Sequence, residues 1–167
     1  MVAIFLSLLT AALKQAQASQ DYLLAQDFVR DKNREFAFMY FLSVLRDDAN
    51  PGHRQEALFA AAEYYFLAAD YVDSFNTLNE FLENYPHSEL KILALFYLLK
   101  ISESWELPEL SKIIEKQITG LKRVVLVFKE NQERNFISPL GLKYKIIYYI
   151  DKLEFYIDGK LQKEIFY

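Results

Sequence analysis

Residues 54–89 read RQEALFAAAEYYFLAADYVDSFNTLNEFLENYPHSE. Apolar side chains recur there at helical spacing in two runs. The first holds Leu58, Ala61, Ala62, Tyr65 and Phe66; the second holds Phe75, Leu78, Phe81 and Leu82. A period of 3.6 residues marks each run as one face of an amphipathic helix. Only Ala68-Ala69-Asp70-Tyr71 separates the runs, and a connection that short forces two helices to lie antiparallel. The small Ala61 and Ala62 let the second helix come close. Tyr85-Pro86 closes the second helix, because proline disfavours helical geometry in the residue before it.

The landmarks Leu58, Ala61, Ala62, Tyr65, Ser74, Leu78 and Pro86 resemble one tetratricopeptide repeat, whose pattern sets large, small and aromatic residues at those spacings. A second copy lies 37 residues upstream. Leu24, Ala25 and Phe28 stand for Ala61, Ala62 and Tyr65, and Ala37, Phe41 and Val44 stand for Ser74, Leu78 and Phe81. The offset exceeds the family unit of about 34 residues, and the longer connection Arg46–His53 absorbs the surplus. The alternative is a generic helical bundle with accidental self-similarity. Residues 88–119 form a third, degenerate pair. Leu90–Ile101 is almost wholly apolar and reads as a helix packed on both sides. Pro108 suits the first turn of the next helix, which ends at Gly120.

Beyond Gly120 the period becomes strand-like. Arg123–Phe128 carries Val-Val-Leu-Val-Phe, a β-branched run. Asn131–Asn135 reads as a polar loop and Ser138-Pro139-Leu140-Gly141 as a turn. Tyr144, Ile146, Tyr148 and Ile150 alternate on one face, and after Asp151-Lys152 the apolar parity shifts to Leu153, Phe155 and Ile157. Asp158-Gly159 is a hairpin signal, because both residues tolerate positive φ. A two-residue turn there sets Glu154 opposite Lys163. The expected fold class is therefore α+β: an α-helical hairpin array over 19–120, followed by a small antiparallel β-meander over 121–167. The apolar last strand, Glu164-Ile165-Phe166-Tyr167, offers an edge for self-association.

Residues 1–18 contain an apolar run, Val2–Leu13, followed by Ala16-Gln17-Ala18. This has the make-up of a secretory signal peptide, although no Lys or Arg precedes the run. The competing reading is the first amphipathic helix of the domain. The apolar run is too short to cross a bilayer.

Composition narrows the function. The chain of 167 residues is 53% hydrophobic and has no cysteine, so it can bury a core and has no disulfide or thiol chemistry. The net charge of −4 argues against nucleic acid as a partner. Residues 1–120 hold ten basic and seventeen acidic side chains, and residues 121–167 hold nine and six. Four glycines leave no phosphate-cradling loop. His53 and His87 have no further ligands at metal spacing and read as solvated loop residues. No cofactor and no catalytic group is expected.

The family resemblance implies a non-enzymatic scaffold whose first helices line a groove for a peptide or protein segment. Carried over to this chain, the groove positions are Glu56, Phe59, Glu63 and Phe66, with Ser19, Tyr22, Gln26 and Val29 upstream. The implied groove is aromatic and acidic, fitted to a segment with apolar anchors and some Lys or Arg. Tyr71-Val-Asp-Ser-Phe75 and Phe81-Leu-Glu-Asn-Tyr-Pro86 are similar to bacterial envelope repeat proteins, which implies a periplasmic or secreted adaptor. The alternatives are a cytosolic adaptor and a single-strand nucleic-acid binder that stacks bases on Tyr144, Tyr148 and Tyr149 among Lys143, Lys145 and Lys152.

Overall fold

The computed structural model describes residues 20–46, 51–121 and 131–167. The expected signal-peptide segment 1–18, the groove position Ser19 and the expected strand Arg123–Phe128 lie outside these residues. The fold is α+β, helices first and then a four-stranded antiparallel sheet. The chain divides into two compact units between Pro86 and His87.

The first unit contains α1 (residues 20–30), α2 (Arg34–Arg46), a 3₁₀ turn (Pro51–His53), α3 (Arg54–Leu67) and α4 (Tyr71–Asn84). Each pair of consecutive helices packs through the expected small and aromatic residues. Ala25 and Ala62 are fully buried, while Phe28 and Tyr65 are half-buried. Between α1 and α2, Phe28 stacks on Phe36 at 5.3 Å and on Tyr40 at 5.4 Å. There Ser43 also donates to the buried Asp21 at 2.6 Å. Phe38 of α2 stacks on Tyr64 of α3 at 4.1 Å. Phe59 meets Phe81 edge-on at 5.5 Å between α3 and α4. In the same pair, Ser74 donates to the Ala62 carbonyl at 2.9 Å, so its hydroxyl is satisfied inside an apolar contact.

The second unit contains α5 (Lys91–Ser104), α6 (Pro108–Gly120) and the strands β1 (Gln132–Ile137), β2 (Lys143–Tyr148), β3 (Lys152–Ile157) and β4 (Lys160–Phe166). The sheet order is β1-β2-β3-β4. α5 is buried almost throughout, without a break from Ile92 to Leu99. One side of it carries the sheet. Phe96 stacks on Phe155 at 4.8 Å, and the hydroxyls of Tyr97 and Tyr144 share a hydrogen bond. These contacts join α5 to the strands.

The third helix pair is a closer copy than its sequence indicates. α2, α4 and α6 begin at 34, 71 and 108, and α3 and α5 at 54 and 91, each a step of 37 residues. The turn within each pair repeats too. Lys32, Ala69 and Glu106 stand at φ 59°, 60° and 56°. In each turn three backbone amides make the same set of bonds. Asn33, Asp70 and Leu107 donate to Phe28, Tyr65 and Ser102 at 2.8, 2.8 and 2.9 Å. These six-residue bonds around a left-handed residue are the Schellman ending of a helix. Val44, Phe81 and Ile118, again 37 apart, are all fully buried.

Three readings of the strands are corrected. Asn131–Asn135 is not a loop, because residues from Gln132 onward form β1, paired to β2 from Gln132↔Tyr148 to Ile137↔Lys143. β1 is a mostly exposed edge strand, so its polar sequence meets water while its backbone is satisfied by β2. Asp158 and Gly159 do take positive φ, 47° and 79°, yet Glu154 does not face Lys163. A register shift between Phe155 and Tyr156 sets Phe155 opposite Lys163 and Glu154 opposite Glu164. Two carboxylates side by side repel, and Lys152 bridges them at 2.6 and 2.7 Å. Tyr156 and Tyr149 also donate to Glu154 at 2.8 and 3.2 Å. Hydrogen bonding from Lys152 leads these partners in holding the buried Glu154 carboxyl below its usual range. Ile150, expected on the apolar face, lies past the end of β2 and is exposed.

Candidate functional site

The groove residues inferred from sequence divide by exposure. Phe59 and Glu63 are fully buried, so neither presents free surface. Phe66 is half-buried beside Tyr71, with ring centroids 5.4 Å apart. Tyr22 and Glu56 are half-buried and Gln26 is exposed. Phe66 stays partly accessible at the end of α3, and the other accessible positions of the predicted groove lie at α1 and the first turn of α3.

Tyr22, Gln26, His53 and Glu56 assemble there. Tyr22 and Gln26 stand one helical turn apart on α1, and Gln26 donates to the Tyr22 hydroxyl at 2.9 Å. His53 lies flat on the Tyr22 ring, with centroids 3.8 Å apart and planes 6° from parallel. Phe41 meets the same ring edge-on at 6.1 Å. His53 is also the N-cap residue of α3, and Glu56 follows in the first turn. Three residues bring a helix back to the same face. A carboxylate in a first turn is favoured by the helix dipole. One oxygen of Glu56, Oε2, is buried and has no hydrogen-bond partner. The Tyr22 phenol is pushed above its ordinary range by burial first and by the Glu56 charge second, and the Gln26 bond offsets part of this.

Sequence reasoning named Tyr22, Gln26 and Glu56 as groove positions and treated His53 as a solvated loop residue, whereas it is half-buried. Its position directly before α3 was the available signal, although the His53 side chain makes no cap hydrogen bond there and is held by its stack on Tyr22.

In the second unit, the positions 37 residues beyond Phe59 and Phe66 are Phe96 and Glu103. The sheet covers both. Phe96 stacks on Phe155, and Glu103 accepts from Lys163. Phe155 and Lys163 are direct partners across β3 and β4, so the sheet presents an aromatic ring and a lysine together to one helix face. Burial tends to raise the Glu103 carboxyl, but hydrogen bonds from Lys163 and Lys100 outweigh it and hold the group below its usual range. Glu115 adds a second ion pair to Lys163 at 3.4 Å. It occupies the place held by Phe41 and Leu78 in the other pairs.

The aromatic residues proposed to stack bases are distributed differently. Tyr144 and Tyr148 are buried, with the Tyr144 ring edge-on to Tyr97 at 6.3 Å. Tyr149 is half-buried, and the Lys152 ammonium lies 5.2 Å from its ring centre. His87 is exposed. Among the described residues, no group of three His, Cys, Asp or Glu is arranged to hold a metal, and no helix is long and apolar enough to cross a membrane. No protein-family model matches the chain, and no curated protein matches it either.

Proposed function

We propose that this chain is a non-enzymatic protein-binding scaffold of the tetratricopeptide type, taking a peptide or protein segment on the first-helix face of its helix pairs. One observation carries the reading: three helix pairs repeat at 37 residues with the same left-handed turn residue and the same turn hydrogen bonds. Repeating pairs of this kind stack into surfaces that serve recognition. The second unit supports the choice of face, because there the equivalent positions Phe96 and Glu103 hold another part of the chain. The resemblance to envelope repeat proteins extends the proposal to a periplasmic or secreted adaptor, with residues 1–18 as the export signal. A cytosolic adaptor is the alternative location.

Affinity capture tests the binding role. Wild-type chain, Phe66→Glu and Gln26→Arg are used as bait against cell extract, and captured proteins are compared by mass spectrometry. A discrete set held by the wild type and lost from the variants supports the scaffold. Equal recovery on all three baits refutes the proposed face. N-terminal sequencing of the mature protein tests export: a chain beginning at Ser19 supports it, and one beginning at Met1 or Val2 excludes it.

A further inference from the structure

We propose that Glu56, framed by Tyr22, Gln26 and His53, is the receptor for a lysine or arginine side chain of the bound segment. The inference rests on the scaffold reading above and specifies what the segment must carry.

Three observations converge on it. Glu56 is half-buried and one of its oxygens is buried with no hydrogen-bond partner, and a carboxylate partly withdrawn from water gains from a charged donor more than from a neutral one. The surroundings suit a cation. His53 and Tyr22 form a parallel aromatic stack one helical turn from the carboxylate, and flat aromatic surface next to a carboxylate fits the alkyl stem and charged head of Arg or Lys. Finally, the second unit holds a cation on the corresponding face of α5, at the position equivalent to Phe66, ten residues beyond the one equivalent to Glu56. There a lysine, Lys163, is taken by the carboxylates of Glu103 and Glu115 while its cross-strand partner Phe155 stacks on Phe96. An aromatic anchor next to a cation is thus the pattern this kind of face already accepts within the chain.

The dipole of α3 does not account for the arrangement. It favours a negative charge in the first turn, but an exposed carboxylate would satisfy it equally well. It supplies no reason for an oxygen of Glu56 to be removed from water.

The test uses the full chain and small probes. N-acetyl-arginine methylamide and N-acetyl-lysine methylamide are titrated in turn, with N-acetyl-citrulline methylamide as the uncharged shape match of the arginine probe. Backbone amide and Tyr22 ring signals are followed by NMR. The expected result is a saturable shift centred on Tyr22, His53 and Glu56 with the cationic probes. Citrulline should bind at least ~10-fold more weakly, the scale set by a hydrogen bond to a charged group. Glu56→Gln should reduce arginine binding to the citrulline level while its unfolding midpoint stays at or above that of the wild type. Equal binding of arginine and citrulline overturns the proposal, as does an unchanged response in Glu56→Gln or no response at these residues. A further arm separates this site from the scaffold reading. A partner segment recovered by affinity capture is synthesised with each Lys and Arg replaced by norleucine. If it binds wild type as tightly as its parent does, the cation receptor fails and the scaffold stands. If neither peptide binds, both fail.

Discussion

Replacing Ala69 by glycine should stabilise the protein, against the usual direction of an alanine-to-glycine change. Ala69 ends α3 at φ 60° with its side chain exposed, so the substitution removes no packing. An L-residue in the left-handed region costs roughly 1–2 kcal/mol because its Cβ crowds the following carbonyl. Glycine avoids that cost but gives the unfolded chain more freedom, worth about 0.4–1 kcal/mol in the opposite sense. The net expectation is a gain of about 0.5–1 kcal/mol. With a urea slope of about 1–3 kcal/mol per molar, the midpoint should rise by about 0.2–1 M. Far-UV circular dichroism in urea is the assay. Ala68→Gly is the control, since Ala68 stands at φ −80° and should lose about 0.5–1 kcal/mol from the same substitution. Lys32→Gly and Glu106→Gly should follow Ala69→Gly in sign, because their turns share its geometry. The Glu106 variant can be read from the fluorescence of Trp105, the chain's one tryptophan. If Ala69→Gly lowers the midpoint as much as Ala68→Gly does, the left-handed turn assigned to the repeat is wrong.

Two further outcomes follow from the second unit. Phe155→Ala should cost about 3–5 kcal/mol, since Phe155 is buried and stacked on Phe96; a loss under about 1 kcal/mol in a urea melt followed by Trp105 fluorescence would show that the sheet does not rest on α5 as described. The Glu103–Lys163 pair should shape the pH dependence of stability. Glu103 is held below its ordinary 4.5, so its contribution is complete above that value and fades as pH falls through the lower folded pKa. Lys163 is raised above 10.5 by its Glu103 and Glu115 partners, against the opposing and larger single effect of burial; its contribution holds below 10.5 and fades as pH rises past the folded value. Glu103→Gln should flatten the acid limb of a stability-versus-pH curve, and an unchanged limb would refute the assignment.

Helix placement was largely legible, although the first helix of the third pair runs on to Ser104. Tyr85-Pro86 closes α4, Pro108 opens α6, and the 37-residue offset between the first two pairs is the step that the third pair also follows. The third turn was harder to read because Leu107 stands where the earlier copies carry the polar Asn33 and Asp70. Backbone hydrogen bonding preserves that turn without them. The candidate first-helix face was legible only in part. Apolar spacing places Phe59 and Phe66 on one helix face, but only packing decides that Phe59 is buried against Phe81 while Phe66 keeps some exposure.

The amino-acid order alone determined the α+β class, the two-helix units, the hairpin at Asp158-Gly159 and the acidic, aromatic character of the first-helix face. These depend on local periodicity, proline geometry and side-chain chemistry, which act over a few residues. Tertiary structure decided that Gln132–Ile137 is a strand, since its pairing energy comes from β2. It also decided that an irregularity shifts β4 by one residue, so that Glu154 meets Glu164 and Lys163 meets Glu103. Those outcomes depend on which distant groups arrive side by side, and spacing along the chain does not encode that.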